Sequence, residues 1–173
     1  MDITINKNIK GSILDIGGGG EGIIGQVYTS QVTAIDNRQE ELDEAPDTFT
    51  KILMDACNLT FENESFDNVS AFYSLMYIPK YDHIKVIKEA FRVLKKGGSL
   101  HIWDCDIENA YPDAFVINLN ISIPNKIIKT SYGIIDSDAQ QNMEYFINLC
   151  KNCGFKLIKK ENKNETFYLI FKK

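Results

Sequence analysis

Six consecutive residues, Gly17-Gly18-Gly19-Gly20-Glu21-Gly22, satisfy the pattern G-x-G-x-x-G and follow directly on a strand-like run, Ser12-Ile13-Leu14-Asp15-Ile16. Glycines there allow a tight turn and let a ligand approach the backbone, while the N-terminus of a following helix favours negative charge. Asp36 ends the next apolar run, where a carboxylate can accept hydrogen bonds from both hydroxyls of a ribose. These two features alone leave several readings open. A nicotinamide-dependent oxidoreductase would place the same residues similarly, and a glycine-rich turn can be purely structural. A P-loop is excluded, because no Gly-Lys-Ser/Thr follows. Two further carboxylates narrow the choice. Asp15, two residues before the first glycine, is a poor neighbour for a pyrophosphate and a good one for an ammonium or sulfonium centre. Asp55, in Met54-Asp55-Ala56, ends a third strand-like run on the same edge, where it can accept a bond from an exocyclic amine.

The elements that must hold these residues alternate along the chain. Strand character is expected at 12–16, 31–36, 51–55, 66–73 and 99–104. Helical character is expected at 23–28, at 39–45 before Pro46, and at 81–95. In the last of these Ile84, Ile87, Ala90, Phe91 and Leu94 share one face at spacings of three and four. Lys95-Lys96-Gly97-Gly98 reads as its stop, a basic last turn followed by a left-handed glycine cap. Alternating strands and helices predict a doubly wound α/β domain, a parallel sheet with helices on both faces.

The last third is different. Phe115–Ile123 and Lys126–Ile135 read as a β-hairpin around Pro124-Asn125. Asp136-Ser137-Asp138 offers N-caps for a helix running to about Cys153, which Gly154 ends. Two closing strands, 155–158 and 166–171, are joined by polar residues 161–165 and must be antiparallel, because so short a link cannot make a parallel crossover. No repeat or linker divides the chain, so residues 1–173 are expected to form one domain with 107–135 as an insertion.

Taken in order, Ile13-Leu14-Asp15-Ile16-Gly17-Gly18-Gly19, Ala34-Ile35-Asp36, Asp55-Ala56, Ser65-Phe66-Asp67 and Glu89 through Gly98 resemble the class I S-adenosylmethionine-dependent methyltransferases. The resemblance is greatest to the branch holding quinone-biosynthesis and other small-molecule enzymes. It implies a Rossmann-like seven-stranded sheet whose last strand is antiparallel, in agreement with the C-terminal reading. It also implies S-adenosyl-L-methionine as cofactor. Carried over to this sequence, Gly17 and Gly19 would lie against the amino-acid part of the cofactor, with Asp15 beside them. Asp36, with Asn37 next to it, would take the ribose hydroxyls, Asp55 the adenine amine and Ala56 a backbone contact to adenine. Phe72 and Tyr73 would lie beside the methionyl part. One departure stands out: many members have a third alternating glycine where this chain has Glu21, with Gly22 one place later.

Methyl transfer from a sulfonium is an in-line displacement that can proceed by positioning donor and acceptor, without a fixed triad. A base is needed only if the acceptor must lose a proton. Asp104, Asp106 and Tyr77 are the catalytic candidates, and Tyr73, Trp103 and Tyr132 are candidate walls of an acceptor pocket; for each the competing expectation is a core or capping role. His101, inside a strand, is expected to be a buried structural histidine, and His83, near a helix start, is expected at the surface. Cys150-x-x-Cys153 lacks the partners of a zinc site, and no metal is expected.

The chain has 173 residues, a net charge of -5 and 44% hydrophobic residues, a globular composition. The acidic balance argues against a nucleic-acid partner. No apolar run is long enough to span a bilayer, Met1–Lys10 carries no signal-like core, and the expected location is the cytoplasm. The expected reading is therefore a methyltransferase acting on a small-molecule acceptor. A non-catalytic binder of the same cofactor is the runner-up, and an oxidoreductase a distant third. The 107–135 hairpin is expected to flank the acceptor, a homodimer interface being the competing role.

Overall fold

The computed structural model describes residues 1–108 and 111–173. Its elements are β1 (Asp2–Thr4), β2 (Ile13–Ile16), α1 (Ile23–Tyr28), β3 (Val32–Asp36), α2 (Gln39–Glu44), β4 (Thr50–Leu53), β5 (Phe66–Phe72), α3 (His83–Val93), β6 (Leu94–Cys105), β7 (Phe115–Ile123), β8 (Lys126–Ile134), α4 (Met143–Asn152), β9 (Lys156–Lys163) and β10 (Thr166–Lys172). Seven strands form the main sheet in the order β4-β3-β2-β5-β6-β10-β9. The first five run parallel, and β10 is antiparallel to both β6 and β9. All four residues of β2 are buried, as a central parallel strand covered on both faces requires.

Alternate residues feed two cores. Leu14, Ile16, Val69, Ala71, Leu100 and Ile102 pack on one face with Val86, Ile87 and Ala90 of α3 and Phe146 and Ile147 of α4. Ile13, Val32, Ala34 and Phe72 pack on the other with Ile23, Ile24 and Val27 of α1. Here the cover is not helical throughout. Ile117, Leu119 and Ile121 of β7 complete this second core, packing with Trp103 and with Ile5 and Ile9 from the N-terminal segment. The hairpin β7–β8 is joined by β1, parallel to β7, into a separate three-stranded sheet that the sequence pattern did not disclose.

Glu89 and Arg92, inside the stretch that carries the family resemblance, hold the loop before β5. Glu89 accepts the Leu59 amide at 2.9 Å, and Arg92 donates to the carbonyls of Leu59 and Phe61 at 2.9 and 2.8 Å.

Several boundaries differ from the sequence expectation. Helix α3 stops at Val93, and Leu94 already pairs with Phe66, so the left-handed Gly97 (φ 75°) turns the chain within β6 instead of capping the helix. Helix α4 starts at Met143, not at 136–138, because Gln141 bridges to Ile107 and its side chain reaches Asp104, keeping the chain extended up to Asn142. Strand β9 runs on to Lys163, through residues expected to be loop, and turns at Asn164 (φ 58°). The second strand of the hairpin ends at Ile134.

Candidate functional site

The chain leaves β2 outward to β3 and β4, then returns to β5 on the other side of β2. That reversal opens a crevice at the carboxyl ends of β2 and β5, where open α/β sheets bind ligands. A cavity of about 810 Å³ lies there, within the range of small-ligand sites. Asp15, Gly17, Gly19, Asp36, Asn37, Asp55, Ala56, Phe72 and Tyr73 all line it, as does Tyr77.

The glycine loop is shaped by contacts that leave no room for side chains. Gly17 has φ 66°, and a Cβ there would lie 2.4 Å from Cβ of Ser74, whose hydroxyl donates to the Ile16 carbonyl at 2.6 Å. A Cβ on Gly19 would lie 2.5 Å from Cβ of Glu41 and 2.9 Å from Oδ2 of Asp36. The loop therefore presents bare backbone to the cavity. Its left-handed positions fall at Gly17, Gly20 and Gly22, so Glu21 needs no glycine and the third alternating glycine is dispensable here.

The carboxylates stand at successive strand ends. Asp15 is fully buried and accepts the Ser70 hydroxyl at 2.6 Å; burial pushes it up to about 7, the Ser70 bond opposes this, and the charge of Asp36 adds to it. Asp36 accepts the Arg38 amide at 3.0 Å with one oxygen and turns the other toward Gly19. Asp55 accepts the Cys57 amide at 2.8 Å. The charged lining is Asp15, Glu21, Asp36, Glu41, Glu44, Asp55 and Asp82 against Arg38, which is paired with Glu41 at 3.0 Å. Such a lining suits hydroxyls, amines and cationic groups and repels a pyrophosphate.

The opposite wall is aromatic. Tyr73 is buried and holds φ 50°, an uncommon conformation for an aromatic residue. Its ring stacks on Tyr132 of β8, with centroids 5.3 Å apart and planes 9° from parallel. Ser131 and Tyr132 bring the hairpin to the cavity edge. The phenol oxygen of Tyr77 accepts the Gly133 amide at 3.1 Å.

The remaining candidates lie elsewhere. Asp104 is on the α3–α4 face of β6, outside the cavity lining; its Oδ1 accepts from Gln141 Nε2 at 2.7 Å and from the Cys105 amide at 2.9 Å. Burial pushes this carboxyl to about 7, against those two bonds. Asp106 accepts the Met143 amide at 2.8 Å and so caps α4. Trp103 stacks on Tyr168 with centroids 4.2 Å apart, and His101 lies beside both rings. His101, bonded to the Tyr168 phenol at 2.9 Å, is lowered to about 4 by burial and then Lys172. His83 is not at the surface as expected: it is buried, because its ring bonds the Leu75 carbonyl at 2.9 Å and the Tyr145 phenol at 3.0 Å. Cys57 lines the cavity, but burial and then Asp55 raise its thiol to about 11, which keeps it unreactive. Among the described residues no group of three or more His, Cys, Asp or Glu side chains is arranged to hold a metal ion. No described helix is long and apolar enough to cross a membrane.

Sequence reasoning did not anticipate the part played by Glu21. Its Oε1 accepts from the Thr130 hydroxyl and its Oε2 from the Tyr132 phenol at 3.2 Å, joining the glycine loop to the hairpin. The signal was present, as the one residue that breaks the glycine pattern.

Comparison with known proteins agrees with this geometry. A family model described as a methyltransferase domain matches residues 14–102. The sterol 4-C-methyltransferase strm-1 of Caenorhabditis elegans is 34% identical over 109 residues, 63% of this chain and 32% of that protein, so the chain spans about a third of that relative's length. Among solved structures, the PH0226 protein of Pyrococcus horikoshii superposes with a TM-score of 0.69 at 18% identity, over 95% of this chain and 83% of that one. A protein of Methanosarcina mazei described as an S-adenosylmethionine-dependent methyltransferase gives 0.67 at 20% identity, over 95% and 94%. These two likenesses establish the fold.

Proposed function

The chain belongs to the methyltransferase-domain family, with S-adenosylmethionine as its cofactor, and from this premise we propose that it transfers a methyl group to a small-molecule acceptor held beneath the β7–β8 hairpin. The observation that carries the proposal is convergence. Nine residues named from the sequence for cofactor contact, drawn from the ends of four strands, line a single cavity at the switch point. The cavity also fits the group chemically, with bare glycine backbone beside carboxylates and only one, already paired, cation.

Bound there, S-adenosylmethionine supplies a methyl group on a cationic sulfur, open to in-line displacement. The protein's part is positioning. Asp36 accepts the two ribose hydroxyls, its free oxygen being the one beside Gly19. Asp55 accepts the adenine amine and Ala56 contributes a backbone contact. Asp15 sits beneath the amino-acid end, where a cationic ligand draws it toward the ionised form. Gly17 and Gly19 admit the ligand to the backbone, and Phe72 and Tyr73 flank its methionyl part. Tyr77 and Tyr132 line the hairpin side of the cavity, whose volume supports an acceptor of metabolite size. Asp104 and Asp106 have structural partners, so transfer proceeds by proximity and orientation, and of the three catalytic candidates named from the sequence only Tyr77 lines the cavity.

Incubation with methyl-labelled S-adenosylmethionine and a fractionated small-molecule extract tests this. Label should enter compounds below about 1 kDa with wild-type protein and not with Asp36→Ala. Cofactor binding without transfer to any fraction would favour a non-catalytic binder, and label entering only macromolecules would contradict the small-molecule reading.

A further inference from the structure

We propose that Glu21 is a positioning residue: it latches the β7–β8 hairpin across the mouth of the cavity, and breaking that latch is what lets ligand in and out. The inference rests on the cavity being the cofactor site.

Every polar contact described between hairpin and cleft falls within four residues of β8. Thr130 and Tyr132 donate to the two carboxylate oxygens of Glu21, and the Gly133 amide donates to Tyr77. Ser131, between them, lines the cavity with Tyr132. On the other side Glu21 is held by its own backbone, whose carbonyl accepts from Gln26 Nε2 of α1, and by the left-handed Gly20 and Gly22 that flank it. The carboxylate thus leaves a fixed loop and meets a hairpin 109 residues further along the chain.

The two strands of the hairpin are attached in different ways. In β7, Ile117, Leu119 and Ile121 are buried in the core beneath the main sheet. In β8 no residue is fully buried, although Ile128, Tyr132 and Ile134 pack partly buried against the same core, and β8 is an edge strand of its sheet. Apolar burial on β7 is lost only if the core opens, whereas hydrogen bonds to a carboxylate can be exchanged for water. The hairpin is therefore anchored most firmly along β7, while the cavity side of β8, at residues 130–133, is fastened by hydrogen bonds that can be exchanged. Because Tyr132 also stacks on Tyr73, releasing Glu21 frees the aromatic wall as well as the edge.

The test places variants on both sides of one contact. Dissociation of labelled S-adenosylmethionine is followed after a chase with excess S-adenosylhomocysteine, and amide hydrogen exchange is read at residues 131–133. Glu21→Ala, and the pair Thr130→Val with Tyr132→Phe, should each speed dissociation about 10-fold or more and raise exchange at those amides. Combining them should add little, since both break the same latch, and Glu21→Gln, which keeps an acceptor, should lie between wild type and Glu21→Ala. Acceleration by Glu21→Ala but not by the hairpin pair would locate the effect in the glycine loop and overturn the latch, as would fully additive effects. Normal wild-type binding with unchanged dissociation in every variant overturns the latch alone. Failure of the wild-type protein to bind either ligand overturns the cofactor reading together with it.

Discussion

A carboxylate buried away from water is a cost that grows with pH, and among the described residues Asp15 and Asp104 are both buried in this way. Both are pushed to about 7 by burial. The native state then binds more protons than the unfolded chain between about pH 4 and pH 7, so their contribution to stability falls as pH rises through that window and is level above it. Asp104 is the more exposed to this argument chemically, because its Oδ2 has no partner among the described residues. Asp104→Asn keeps an acceptor for Gln141 and the Cys105 amide and removes the buried charge. The variant should be more stable than wild type at pH 8, by on the order of a few kcal/mol, and nearly equal to it at pH 4.5; thermal melts at the two pH values decide it, and an unchanged difference would show Asp104 ionised throughout. At this scale the sequence was informative for the carboxylates at the ends of β2, β3 and β4, since Asp15, Asp36 and Asp55 all line the cavity. It left Asp104 and Asp106 open between catalytic and structural roles, since only the fold shows that Asp104 shares the helical face of β6 with Leu100 and Ile102 and that Asp106 caps α4.

Among the elements, the start of α4 shows why good local signals can be overruled. Asp136, Ser137 and Asp138 are all favourable N-caps, yet the pull of Gln141 toward Asp104 and Ile107 delays the helix to Asn142, whose side chain accepts the Tyr145 amide at 2.8 Å. Asn142→Ala should therefore cost about 1 kcal/mol in urea denaturation, while alanine at Asp138 should cost far less. Helix α1 poses the opposite question. Alanine at Gly25 would gain up to ~1 kcal/mol of helix propensity, but its Cβ would stand 2.2 Å from the Phe49 ring. Overpacking typically costs about 1–3 kcal/mol, so Gly25→Ala should lower the melting temperature; a rise would mean Phe49 moves freely. The second half of strand β9, residues 159–163, escaped recognition for a physical reason. β9 is an edge strand with almost every residue exposed and four lysines, a composition that discourages edge pairing and carries no hydrophobic alternation.

For the whole molecule, the central strands, their order of chemistry and the antiparallel close were legible because each depends on local pattern. The second layer over the Trp103 face was not, because it is assembled from β1, β7 and β8, distant segments of which β1 has only three residues. The hairpin is consequently part of the core as well as a neighbour of the cavity. Leu119→Ala, at a site 2% exposed, should cost about 2–5 kcal/mol and shift a single cooperative transition. A separate early transition would instead mean that the small sheet unfolds on its own. The central claim, that the cavity at the switch point takes S-adenosylmethionine, is tested most directly by calorimetric titration with S-adenosylhomocysteine, with NAD as control, on wild type and Asp36→Ala. The account predicts micromolar binding of S-adenosylhomocysteine alone, weakened by Asp36→Ala about 10-fold or more, a loss of about 1.4 kcal/mol. Binding of NAD in its place, or no binding of S-adenosylhomocysteine, would contradict it.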